Sequence, residues 1–150
     1  KKFKKPMYVD VQISHKKSNH HLYAGVDCML LNEKEAKAVY SKFDIKNPEH
    51  TLIAIKKKLR LENVVVKLGN RGTIAIWNGQ YIKSRPHKVK ALDVCGAGDA
   101  FLAAFSLGDK NRPKESLELA NIWAALSTTI HGTIAPRKKD LIKTLKKRRK

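Results

Sequence analysis

The sequence is short of acidic residues, of cysteine and of long apolar runs, and each shortage narrows what the chain can be. Only 13 Asp and Glu stand against 32 Lys and Arg in 150 residues, a net charge of +19 that draws in anionic ligands, nucleotides among them. The two cysteines, Cys28 and Cys95, have no metal-ligand spacing and make a poor disulfide framework. No segment approaches the roughly 20 apolar residues that span a bilayer. Lys1–Lys5 runs straight into Pro6-Met7-Tyr8-Val9-Asp10, without the apolar stretch of a secretory signal, so a cytoplasmic protein is expected. The six His residues form no ligand pattern, and His20-His21 read as part of a surface loop. No internal repeat and no linker between two domains is visible.

What is present fits one globular domain with a sizeable core, 42% of it hydrophobic. The excess charge sits at the ends. Residues 1–5 carry +4 and residues 137–150 carry +8, leaving +7 for the body. The division expected is therefore a folded body over 1–136 and a basic helix or tail over 137–150. Such tails can bind nucleic acid or an anionic membrane surface. No aromatic residue interleaves the C-terminal run, so solvated Lys-rich ends are the preferred reading; neither nucleic acid nor a membrane is expected as a partner.

Hydrophobic patterning alternates strands with helices. Met7–Ile13 reads as a strand and Val26–Leu31 as a short buried one. Asn32 opens a helix expected from Glu33 to about Phe43, and Pro48 starts a second with Leu52, Ile55 and Leu59 as its stripe. Asn63–Leu68 reads as another buried strand. Thr73–Trp77 and Tyr81–Lys83 form a hairpin about Asn78-Gly79. Val89–Leu92 reads as a strand feeding a Gly-rich turn and an apolar helix, Ala100–Leu107. Pro113 begins a helix reaching about Ile130, and a basic helix follows Pro136. This order implies an α/β sheet with parallel pairs.

The segment richest in chemistry is Asp93-Val94-Cys95-Gly96-Ala97-Gly98-Asp99, a small-residue turn running into a helix. Unpaired amides at a helix start, approached closely over glycine, suit the phosphates of a nucleotide. An aspartate there repels an anion, yet makes sense as a base that takes the proton of an attacking hydroxyl. The alternative is that Asp99 caps the helix and the glycines only turn the chain.

Asp93–Asp99 resembles the D-[TV]-x-G-A-G-D signature of the ribokinase/PfkB carbohydrate kinases. The resemblance implies that Asp99 is the catalytic base and that Gly96, Ala97 and Gly98 form the anion hole. Cys95 stands where the family usually has Thr. Asn32-Glu33-Lys34-Glu35 resembles the family's N-x-x-E motif, which places magnesium and phosphates; read locally, Asn32 and Glu35 make a capping box. Lys67-Leu68-Gly69-Asn70-Arg71-Gly72 resembles the L-G-x-x-G strand-end loop, implying nucleotide contacts from Lys67, Gly69 and Gly72. Asn121 falls where the family lines its adenine pocket. The resemblance runs from about Tyr8 to Pro136 and within the family leans toward the kinases of heptose phosphate. It implies the C-terminal half of a ribokinase-like three-layer fold with a mostly parallel sheet. It implies ATP and Mg²⁺ with a sugar or sugar-phosphate substrate, and it allows a monovalent cation. Because the family's first half is absent, either a second chain or a missing N-terminal half completes the sheet, or the chain is a non-catalytic nucleotide- or polyanion-binding remnant.

Overall fold

The computed structural model describes residues 5–13 and 18–148. Most of the basic start, part of the polar stretch over 14–21 and the last two residues of the tail lie outside them. The chain divides into two compact units, Lys1–Lys83 and Ser84–Lys150, a division that no linker announces in the sequence.

The first unit is built on a sheet of five strands in the order β1 (Tyr8–Asp10), β2 (Cys28–Asn32), β3 (Asn63–Lys67), β4 (Thr73–Trp77) and β5 (Gln80–Ser84), the last of which ends in the first residue of the second unit. β1 with β2 and β2 with β3 run parallel, and β3 with β4 antiparallel. In β2 and β3 every residue but the last is buried, as expected of parallel strands covered on both faces. The hairpin between β4 and β5 turns on Asn78 and Gly79, both at positive φ, as the primed two-residue turns demand.

Helices α1 (Glu33–Val39) and α2 (Pro48–Leu59) carry the chain from β2 to β3 and pack on the sheet. Leu52, Ile55 and Leu59 meet Met29, Leu31, Val64, Val66, Ile74 and Ile76 in one core cluster. Full burial of such a side chain is worth about 1.5–3 kcal/mol, so this stripe, and not local propensity, holds α2 in place.

α1 stops at Val39 because Tyr40 turns extended; Phe43 still reaches the core through a turn in which its amide donates to the Tyr40 carbonyl at 2.9 Å. β1 is shorter than Met7–Ile13. His20 is fully buried, its Nδ1 2.6 Å from the Ser18 hydroxyl, while its neighbour His21 is exposed.

In the second unit Val89–Leu92 forms no strand. Instead the amides of Leu92 and Asp93 donate to the Thr128 carbonyl at 2.7 and 3.1 Å. α3 (Ala97–Ser106) packs against α4 (Pro113–Ser127), burying Phe101, Phe105, Leu117, Ala120 and Ile122. A side chain at Gly108 would fall 2.4 Å from the Ser116 hydroxyl, so glycine is what lets the two helices meet there. α5 (Lys138–Arg148) lies against α4, so much of the basic tail is an ordered helix. Among the described residues no helix is long and apolar enough to cross a membrane.

Candidate active site

In the second unit the Gly-rich turn is tighter than its sequence suggests. Gly96 sits at φ 74° as the N-cap of α3, and a Cβ there would lie 2.7 Å from Thr133 Cγ2. Both conformation and space require glycine. The left-handed cap starts the helix at Ala97, three residues earlier than the apolar run implies, and places Ala97, Gly98 and Asp99 in its first turn.

The Ala97 amide, expected in the anion hole, instead donates to the Val94 carbonyl at 3.3 Å, whereas those of Gly96, Gly98 and Asp99 donate to no backbone carbonyl among the described residues. Among the described residues no side chain caps the helix. These three amides stand at the positive end of a ten-residue helix, an arrangement that favours an anion. Asp99 is exposed on this turn. The cap is Gly96, so Asp99 does not perform the capping role that the sequence leaves open.

Asp93 holds this turn in shape. Its carboxylate accepts from the Cys95 amide and from the Gly132 amide, each at 2.9 Å. These two bonds, the Cys95 one foremost, draw its pKa below the ordinary aspartate value. Cys95 itself is exposed. Asn121, on α4, donates to the Ser84 hydroxyl at 2.9 Å and the Arg85 carbonyl at 3.3 Å, tying the helix to the chain that enters the unit.

In the first unit the other expected residues gather at the carboxyl ends of the parallel strands, where open α/β sheets bind ligands. Asn32 ends β2 opposite Lys67, which ends β3. The capping box is formed in full: Asn32 Oδ1 accepts from the Glu35 amide at 2.9 Å, and Glu35 Oε2 accepts from the Asn32 amide at 2.6 Å. Among the described residues this leaves the Asn32 side-chain NH₂ and the other Glu35 oxygen uncommitted. Glu35 is 4% exposed, and burial pushes its pKa up against the opposing pull of the Asn32 amide and Lys67.

The Lys67 ammonium is ion-paired with Asp10 of β1. The loop after it turns at Gly69 and Gly72, both at positive φ, and closes where the Leu68 amide donates to the Gly72 carbonyl at 2.8 Å. Arg71 pairs with Glu33 in the first turn of α1. Sequence reasoning singled out none of Asp10, Glu33 or Arg71 for this site, nor the clamp that Asp93 forms. Opposite charges at the ends of neighbouring elements were the available signal.

Each unit thus has its own group of candidate residues: a Gly-rich helix start with an exposed carboxylate in one, and a cluster of polar strand ends in the other. Among the described residues no group of three or more His, Cys, Asp and Glu could hold a metal.

The sequence matches the pfkB family carbohydrate kinases over residues 1–140, and the chain belongs to that family. A ribokinase of Dictyostelium discoideum is 32% identical over 130 residues, which cover 75% of this chain and 41% of that protein. The structure of Thermotoga maritima ribokinase superposes with a TM-score of 0.80 at 27% identity, over 96% of this chain and 50% of that one. Arabidopsis thaliana ribokinase complexed with ribose and ATP gives 0.80 at 26%, over 94% and 47%. The α/β ribokinase-like fold expected from the resemblance is the one found. The chain spans about half the length of the proteins it matches, or somewhat less.

Proposed function

We propose that this chain carries the nucleotide-holding and phosphoryl-transfer residues of an ATP-dependent sugar kinase. The observation that carries the reading is the first turn of α3, where the unpartnered amides of Gly96, Gly98 and Asp99 adjoin the exposed Asp99 carboxylate. Phosphoryl transfer asks for little else: preorganised donors where charge develops, and a base for the attacking hydroxyl. Asp99 accepts the proton of the sugar hydroxyl, and the three amides stabilise the charge on the transferred phosphoryl group. Asn32 and Glu35 act on the phosphate side, and Asn121 with the loop after α4 on the adenine side.

Magnesium suits the donors present. It is usually held by one or two carboxylates with waters and substrate phosphates, and so needs no three-acid cluster. Glu35, with one oxygen uncommitted, would hold it beside Asn32. When bound, the ion neutralises phosphate charge.

The acceptor is a sugar or sugar phosphate. The relatives described above are ribokinases, so a five-carbon sugar is the first acceptor to try, with heptose phosphate, the acceptor suggested by sequence likeness alone, beside it. Two measurements test the reading. Calorimetry with ATP and Mg²⁺ should give saturable heat from this chain. Labelled γ-phosphate should pass to a sugar once the polypeptide is completed to family length. A folded sample that gives no heat at millimolar nucleotide contradicts the proposal.

A further inference from the structure

The ion pair between Asp10 and Lys67 joins β1 to β3 across the intervening strand β2, and both side chains are largely withdrawn from water, at 12% and 15% exposed. It lies at the strand ends that carry Asn32 and Glu35. Lys67 stands opposite Asn32 in the β2–β3 register, and both Lys67 and Asp10 act electrostatically on Glu35, in opposite senses. Glu35 in turn holds the Asn32 amide. Four residues from three strands and a helix start are therefore electrostatically linked.

We propose that Asp10 and Lys67 are a positioning pair for Asn32 and Glu35, and that Lys67 itself does not bind the nucleotide. The physical reason is a balance of forces. With Asp10 removed, the Lys67 ammonium has no partner in a poorly hydrated place and draws the Glu35 carboxylate away from the Asn32 amide. With Lys67 removed, the carboxylates of Asp10 and Glu35 repel with no cation between them, and Glu35 again leaves its place. With both neutralised, neither force remains, because breaking one partner of a buried pair is more disruptive than replacing both.

The inference rests on the reading of Asn32 and Glu35 as phosphate-side residues, and a double-mutant cycle tests it with two readouts. Asp10→Asn, Lys67→Met, the double variant and Lys67→Arg are compared for Mg²⁺-ATP affinity and for hydrogen exchange of the Asn32 amide. Each neutral single variant should weaken ATP by about tenfold and speed Asn32 exchange. The double variant should recover most of both, and Lys67→Arg should resemble the wild type. A double variant as weak as Lys67→Met alone would make Lys67 a phosphate ligand and overturn the proposal. So would single variants that lower only the thermal midpoint, with affinity and Asn32 exchange unchanged. If the wild type binds no ATP, the functional reading fails, while Asn32 exchange still decides whether the pair positions the capping box.

Discussion

The Asp93 carboxylate accepts from the Gly132 amide at 2.9 Å, 39 positions along the chain, while its other oxygen accepts from Cys95. One side chain thus fastens the Gly-rich turn to the loop after α4. Asn at this position offers a single acceptor oxygen for two amides. Asp93→Asn should therefore lower the thermal midpoint and weaken ATP together, and Asp93→Ala should do so further.

The same bonds fix a pH dependence. The folded-state pKa of Asp93 is depressed, so its contribution to stability is present above the unfolded aspartate value of about 3.9 and is lost as pH falls through the lower folded value. The gap in thermal midpoint between wild type and Asp93→Asn should be full at neutral pH and close on acidification below the usual aspartate range. A gap that stays constant to the lowest pH at which the protein folds would place the effect elsewhere.

Cys28 is 1% exposed and its thiol pKa is pushed up by burial, whereas Cys95 is exposed beside Gly96. Thiol titration of the native chain should find one fast cysteine, with the second reacting only on unfolding. Mg²⁺-ATP should slow the fast one if phosphate occupies the turn. Two fast cysteines would contradict the β2 placement, and undiminished reaction at saturating nucleotide would contradict the phosphate site.

Asn32 has an observed capping duty and a proposed phosphate-side one, and the two are separable. Its Oδ1 caps α1, a bond whose loss to Ala typically costs about 0.5–2 kcal/mol. Its uncommitted amide group is the part left for a phosphate. Asn32→Asp keeps the cap, since the two residues cap comparably, but replaces that donor with negative charge. Stability should hold within a few tenths of a kcal/mol while ATP affinity falls. Unchanged affinity would confine Asn32 to capping.

Much of this was legible in the residues because it is local. Pro48 and Pro113 open α2 and α4, Asn78-Gly79 turns the hairpin, and Asn32 with Glu35 form the capping box their spacing implies. What stayed hidden depends on distance along the chain or on backbone state. The apolar run from Ala100 gave no sign that Gly96 would take a left-handed cap and start α3 at Ala97. Val89–Leu92 has strand-forming residues, but its end is tied to the Thr128 carbonyl and not to a neighbouring strand. Lys67 was expected, by resemblance, to contact the nucleotide beside a glycine loop, and its partner Asp10 lies 57 positions away, beyond any local pattern.

If Asp99 is the base, turnover of Asp99→Asn in the polypeptide completed to family length shows it. The substitution keeps the side chain's size, removes a negative charge beside the phosphates and cannot accept the hydroxyl proton. General-base catalysis is worth about 10²–10⁴-fold, so kcat should fall by that order while ATP affinity holds or improves. Wild-type turnover from the Asn variant would remove Asp99 from the chemistry.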